Sequence, residues 1–295
     1  TGPWWVFPLL ALALLVASGC GRAGPGAGAA TVMTFNIRDA DGTTGWASEN
    51  KPRRLKVVKT IQAADPDVVG LQEDLPVQVA DLRRALGQTY ELFGVGGSDG
   101  VSAGRHCGIL YRRGRFERLA GGTFWLSDTP DAAGSTFVPN DAVRIATWVT
   151  LRDRLTDRRC FVLNTHWDNG RQSNRLKSAA LFRRSIPELS GGLPVIVMGD
   201  LNAEEDNPAV LELLGRGEPG GLQLHDSYRE VHPDRGKEEG TYHGFGGGRS
   251  GPRIDYILHC GFFRAAAARI EYDPVDGHWA SDHFAVTARL EFPAR

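Results

Sequence analysis

Short apolar stretches recur along the chain, and one after another they end in a polar side chain. TVMTFNI carries Asn36, DVVGLQE ends on Glu73, CFVLNTHWDN carries His166, and LPVIVMGDLN carries Asp200 and Asn202. RIDYIL adds Asp255, and SDHFAV adds Asp282 and His283. Runs of Val, Ile and Leu are what strands covered on both faces look like in an α/β protein. Ligands gather outside the carboxyl ends of such strands. A carboxylate, amide or imidazole at successive strand ends therefore predicts one shared polar site. Over 160–166 the alternation sets Cys160, Val162, Asn164 and His166 on one face, and Phe161, Leu163 and Thr165 on the other.

Strands are predicted near 31–37, 67–73, 90–95, 107–112, 143–151, 160–166, 194–200, 254–259 and 283–291. A helix is predicted to start at Asn50-Lys51-Pro52, with Leu55, Val58, Ile61 and Gln62 at helical spacing. Pro76 opens a second helix through about Leu86, and 171–189 forms a third before Gly191 and Gly192. Irregular connections at 96–105, 127–142 and 216–252 are long enough to carry function. The last contains TYHGFGGG, a glycine-rich turn able to cover a site. Neither an internal repeat nor a second linker interrupts this pattern, so 31–295 reads as one folded domain.

Composition changes the picture mainly by exclusion. Of 295 residues, 41% are hydrophobic and 23% charged, which suits a globular domain with a real core. A net charge of −1 removes the overall basic field expected of a nucleic-acid binder. The local cluster Arg112, Arg113 and Arg115 reads as a solvated turn.

Residues 1–20 stand apart. WWVFPLLALALLVASGC is too short for a membrane span but fits the apolar region of a secretory signal. Ala17-Ser18-Gly19-Cys20 resembles a bacterial lipobox, in which the cysteine becomes the lipidated first residue. The positive leading segment is missing, so a start upstream of Thr1 is expected. GRAGPGAGAA at 21–30 then reads as a flexible tether. An extracytoplasmic, lipid-anchored protein is expected, with a plain cleaved signal (periplasmic or secreted protein) or a buried N-terminal helix as alternatives. Cys107, Cys160 and Cys260 are widely spaced without a CxxC pair, so buried free thiols are expected rather than a zinc site.

Each site candidate has an ordinary structural reading. Asn36 can cap a loop, GDLN can be an Asx turn, and His166 can be a satisfied, half-buried histidine. SDHFAV can be a capped strand start, and Asp255 can pair with Arg253. Glu73, after an apolar run, needs either a metal ion or an arginine.

Taken together, TFNIR, LQE, NTHWDN, GDLN, RIDYIL and SDH stand in an order that resembles the endonuclease/exonuclease/phosphatase superfamily, over Thr31 to Leu290. FWLSDTPD at 124–131, VRIATWV and TYHGF resemble a bacterial branch of it. The resemblance implies the DNase-I-like fold, a four-layer α/β sandwich with two packed mixed β-sheets. It implies Mg²⁺ or Mn²⁺ at Glu73, supported by Asn36, with Asp282 a further carboxylate on the metal side. His166 and Asn169 match phosphate contacts. Asp200 and Asn202 match the pair that orients water and phosphate. His283 matches the catalytic histidine and Asp255 the acid that holds it. Several family nucleases carry a carboxylate two residues after the strand-end Asn. Arg38 stands there instead, beside Asp39 and Asp41, and its planar fork suits a phosphate oxygen.

Phosphate esters hydrolyse extremely slowly without catalysis, and a hard dication on oxygen ligands neutralises phosphoryl charge. A monomeric, metal-dependent phosphoesterase is expected, acting on a small phosphoester or a phospholipid headgroup. A secreted nuclease is the alternative enzyme, and an inactive surface-anchored binding module the alternative of another class. A membrane substrate would favour exposed aromatic loops, for which Phe245 and Trp125 are candidates.

Overall fold

The computed structural model describes residues 28–49, 52–216 and 221–292. The signal segment, most of the tether and Cys20 lie outside them. The tether is also shorter than expected, because Ala29 and Ala30 already belong to the first strand.

One six-stranded sheet contains, in spatial order, β11 (Arg264–Glu271), β12 (Ala285–Glu291), β1 (Ala29–Asn36), β2 (Val68–Gln72), β4 (Ile109–Arg112) and β3 (Tyr90–Phe93). The other contains β5 (Phe116–Trp125), β6 (Ile145–Asp153), β7 (Arg158–His166), β8 (Val195–Asp200), β10 (Asp255–Cys260) and β9 (Leu224–Asp226). Both are mixed: β1 and β2 are parallel, as are β7 and β8, and the other neighbours are antiparallel.

Residues from the two inner faces make a single core, with Val32, Val68 and Val286 from the first sheet against Val149, Val162, Met198 and Ile257 from the second. On the outer face of the first sheet, Met33, Phe35 and Leu71 pack against Val57 and Ile61 of α1 (Arg53–Ala64) and Leu82 of α2 (Pro76–Leu86). On the outer face of the second, Phe161, Leu163 and Val197 pack against Phe182 of α3 (Gln172–Ser190) and Val210 of α4 (Pro208–Leu213). The four-layer sandwich follows, and the alternation expected in β7 holds: Val162 faces the other sheet and Phe161 faces α3.

The predicted strands are present with shifted ends, whereas β5, β9 and β11 were not anticipated. All three are sheet edges, where one-sided burial leaves a weak apolar pattern. β5 carries Gly121 and Gly122, and β11 is a run of alanines, residues depleted in strands. The connection 216–252 is not wholly irregular, since β9 and α5 (Ser227–Val231) interrupt it. In α1, Pro52 is the N-cap, Val57 and Ile61 are buried and Leu55 is exposed.

Residues 113–115 are a turn and Arg113 is exposed, as expected, but Arg115 is not solvated. Arg115 is buried and bonds Asp67 at 2.7 Å and Asp153 at 2.9 Å. Trp125 is also buried, donating Nε1–H to Gly97 O, which removes it as a membrane-facing aromatic. Cys107, Cys160 and Cys260 are free thiols.

Towards one end of the sandwich the apolar core gives way to polar groups that bond from sheet to sheet. Asn164 on β7 donates to Leu71 O at 2.7 Å and accepts from Gln72 Nε2 at 2.7 Å. A Cβ at Gly70 would meet Asn164 Oδ1 at 2.6 Å, so glycine permits this approach.

Candidate active site

The site occupies that polar end of the inter-sheet layer because of strand direction. β7 and β8 finish side by side, His166 opposite Asp200, and antiparallel β10 begins with Asp255 opposite Asp200. In the first sheet β1 and β2 finish together, Asn36 opposite Gln72, and β12 starts there after His283. Arg38, Glu73 and Asn202, just past the ends of β1, β2 and β8, have positive φ of 52°, 66° and 47°. Left-handed backbone is costly for such residues and clusters at functional sites. Here it turns each chain sharply out of its strand.

Two bonds then close the sheets over one another. His283 Nδ1 lies 2.8 Å from Asp255 Oδ2, and Asn36 Nδ2 donates to Asp200 Oδ2 at 3.0 Å. Arg253 does not pair with Asp255; it goes to Asp226 at 2.6 Å and Glu205 at 2.9 Å. Thr241 Oγ1 instead accepts from the Asp255 N–H.

Asn36 Nδ2 also donates to Glu73 Oε1 at 3.2 Å, and its Oδ1 accepts from the Arg38 N–H. Two carboxylates on one end of the amide require the NH₂ there. Asn36 is thus a strut between Glu73 and Asp200, and its oxygen, with one lone pair taken by the Arg38 N–H, keeps a second.

The exposed face of the site is a cavity of about 910 Å³ lined by Arg38, Glu73, His166, Asn169, Asp200, Asn202, Asp282 and His283, with Arg105, Arg144 and Tyr242 among others. Asn36 and Asp255, both fully buried, stand behind that surface. Arg105, Arg144 and Tyr242 were missed in the sequence. Arg144 precedes β6 and so lies at a strand start, where a search of carboxyl ends does not look. Tyr242 comes from the TYHGF turn; it bridges to His283 and sets its ring 5.1 Å from the imidazole, so the turn covers part of the site.

Charge divides the cavity. The Arg38 guanidinium stands among Glu73 (3.3 Å), Asp41 (3.5 Å), Asp39 (3.8 Å) and Asp282 (3.9 Å). It therefore contacts carboxylates rather than waiting unpaired for phosphate. Arg144, Asn169 and His166 line the cavity as well, while Arg105 stays with the acidic groups, held by Asp39 and 3.8 Å from Glu73. Asn202 Nδ2, which can only donate, lies 2.9 Å from His166 Nε2, so that nitrogen accepts and the ring proton sits on Nδ1. Burial, then the nearby positive charges of Arg144, His283, Arg105 and Arg38, push the His166 pKa well down and keep the ring neutral.

His283 is the opposite case. Burial alone would lower its pKa, but the Asp255, Asp200 and Asp282 carboxylates override it and raise it to about 10. Burial and the Asp255 charge raise Asp200 to about 7, against the pull of His283, the Asn202 N–H and Asn36. Asp200 Oδ2 lies 3.7 Å from His283 Nε2 and 3.3 Å from His166 Nε2. A carboxylate poised near neutrality lies beside an imidazolium on the cavity floor, which is an acid–base pair.

Two places have donors for a metal ion. Ligand atoms of Asp200, Asp255 and His283 fall within 4.8 Å of one another. In that trio Asp255 Oδ2 holds His283 Nδ1 at 2.8 Å, which leaves Asp255 Oδ1 without a partner among the described residues. Glu73, Asp282 and Asp39 offer hard oxygen ligands around a positive charge already gathered by Arg38, the donor type a Mg²⁺-like ion takes. These three do not converge as Asp200, Asp255 and His283 do, so a dication there would have to displace Arg38 from Glu73 and Asp282 and draw the carboxylates together.

Comparison with known proteins agrees with this fold. The model of the Endonuclease/Exonuclease/phosphatase family matches residues 33–283. An endonuclease/exonuclease/phosphatase from Bacteroides vulgatus superposes with a TM-score of 0.80 at 31% identity, covering 90% of this chain and 99% of that one. A Bacteroides thetaiotaomicron mannosyl-6-phosphatase superposes with a TM-score of 0.80 at 29% identity, covering 89% and 100%. Protein R895 of Acanthamoeba polyphaga mimivirus is 26% identical over 288 residues, 78% of this chain but only 39% of its own length, so the chain spans about two fifths of that relative. From the match over most of its length, the chain belongs to the endonuclease/exonuclease/phosphatase family.

Proposed function

We propose that the protein hydrolyses a phosphate ester on a small, polar substrate, using a divalent cation such as Mg²⁺ or Mn²⁺. The observation that carries this is the His283–Asp255 pair facing Asp200 at the floor of a polar cavity. The cavity's one aromatic lining residue among those described is Tyr242, whereas binding of single-stranded nucleic acid uses rows of rings for base stacking. The likeness to a mannosyl-6-phosphatase supports a sugar-phosphate-like substrate over a polynucleotide or a lipid.

Asp200 takes a proton from the attacking water. As the P–O ester bond breaks in line with that attack, the His283 imidazolium gives its Nε2 proton to the leaving oxygen. Asp255 fixes the ring through Nδ1 and favours its charged form. Asn202 fixes His166, so the neutral ring stands beside the phosphoryl group without competing for the proton. Glu73 with Asp282 and Asp39 would hold the cation, which when bound neutralises phosphoryl charge.

The test is hydrolysis of p-nitrophenyl phosphate, mannose 6-phosphate, bis-p-nitrophenyl phosphate, sphingomyelin and DNA, with Mg²⁺ and with chelator. Metal-dependent turnover of the small esters is expected. Turnover of DNA alone would replace this reading with the nuclease, and none at all with the binding module.

An extracytoplasmic protein tethered by lipid at Cys20 is part of the proposal, motivated by the apolar segment ending Ala-Ser-Gly-Cys. Mass spectrometry of the protein made in a bacterial host is expected to find mature chains starting at lipidated Cys20. An unmodified Cys20 would overturn the anchor and leave the chemistry untouched.

A further inference from the structure

We infer that Arg144 binds the phosphoryl group and selects a monoester dianion over a diester, which rests on the phosphoesterase reading above. The argument begins with where the cavity's positive charges are spent. Arg38 lies among carboxylates. Arg105 is held by Asp39, its Nε bonding Oδ2 at 2.9 Å. Arg53, which lies beneath, is spent on the carbonyls of Arg38, Asp39 and Ala280.

Arg144 differs. Among the described residues it has no carboxylate within ion-pair distance, and its hydrogen bond goes to a neutral acceptor, Asn169 Oδ1, at 3.1 Å. Its Nε is buried with no hydrogen-bond partner, although the residue lines the cavity beside His166. A buried N–H of a cation left without an acceptor is costly. A cation in this state at a cavity wall fits an anion.

The position says which anion. Glu73, Asp200 and Asp282 occupy the acidic part of the cavity, where a metal ion is expected. Arg144 sits beside Asn169 and His166; Asp200 and Glu73, whose charges reach it, stay beyond ion-pair distance. A phosphate diester has two non-bridging oxygens and a single negative charge, which a metal ion and the His283 imidazolium can satisfy. A monoester has a third terminal oxygen and a second charge. A guanidinium with free donors suits that extra oxygen by its planar fork. In a diester the same place must take a neutral ester arm, which leaves the guanidinium unpaired.

The experiment uses the full chain, with Arg144→Gln to remove the charge at similar length and Arg144→Lys to restore a charge without the fork. Inorganic phosphate binding is measured by calorimetry, and kcat and KM are measured on p-nitrophenyl phosphate and bis-p-nitrophenyl phosphate. Arg144→Gln is expected to weaken phosphate binding and raise KM for the monoester by about 10- to 100-fold, the range for a lost charge-assisted bond. KM for the diester should change less than about threefold, and Lys should recover part of the monoester loss. Unchanged phosphate affinity in Arg144→Gln, or equal losses on both esters, would overturn the inference. Should Arg144→Gln fail to fold, the Lys variant decides by the same monoester-to-diester ratio. A wild-type enzyme inactive on every ester would defeat the functional reading, while phosphate titration would still decide whether Arg144 binds the anion.

Discussion

His283→Ala is expected to lower kcat by about 10²- to 10⁴-fold with the fold intact, the usual cost of losing a positioned acid or base. The ring bonds Asp255, packs against Tyr242 and lies near Asp200, all polar-end contacts outside the apolar core, so its removal should leave the fold standing. Asp200→Asn should cost as much, because Asn cannot take the proton from water. Asp255→Asn should cost less, since it keeps a bond to the ring and removes only the charge that favours imidazolium.

The pH profile separates these roles. Asp200 acts as base when ionised, so activity rises as pH passes its pKa, raised to about 7. His283 acts as acid when protonated, so activity falls as pH passes its pKa, raised to about 10. A bell between these limbs is expected, with a bound dication moving both to lower pH. Asp255→Asn removes the leading cause that holds His283 up, so the alkaline limb should move to lower pH. kcat/KM against pH for the wild type and the three variants is the measurement. Near wild-type rates for His283→Ala would remove the mechanism.

Glu73→Gln is expected to raise the Mg²⁺ concentration for half-maximal activity by at least about 100-fold, since even outer-shell changes cost 10- to 100-fold in metal affinity. Glu73 Oε2 now lies near Arg38 Nη1 and the Asp39 N–H. Gln keeps the size and an acceptor oxygen but removes the charge that would draw a dication in place of Arg38. Direct titration with Mn²⁺, followed by paramagnetic resonance, checks affinity apart from turnover. Wild-type activity that persists in excess chelator would sink the metal assignment.

The sequence alone was enough to place the polar residues at strand ends, because burial on both faces forces the long apolar runs that precede them. The same force made β1, β2, β7 and β8 legible. It is weaker at the edges, where β3 was legible but β5, β9 and β11 went unseen. Sequence order also singled out residues, from Asn36 to His283, that folding brings to one end of the sheets, though not their partners. Asp255 could have belonged to Arg253 or to His283, and nothing local distinguishes the two. Strand direction decided it, since β10 starts beside the end of β8 and so sets Asp255 opposite Asp200, facing the loop before β12. Arg38 looked free to meet a phosphate until folding surrounded it with Glu73, Asp39, Asp41 and Asp282. Arg144 fell inside the strand expected over 143–151 and was not singled out; the pairing of β6 with β7 brings it to the cavity. Local pattern reports how much of each element is buried. Which charges meet is fixed by pairings between residues far apart in sequence, and only the packed sheets supply those.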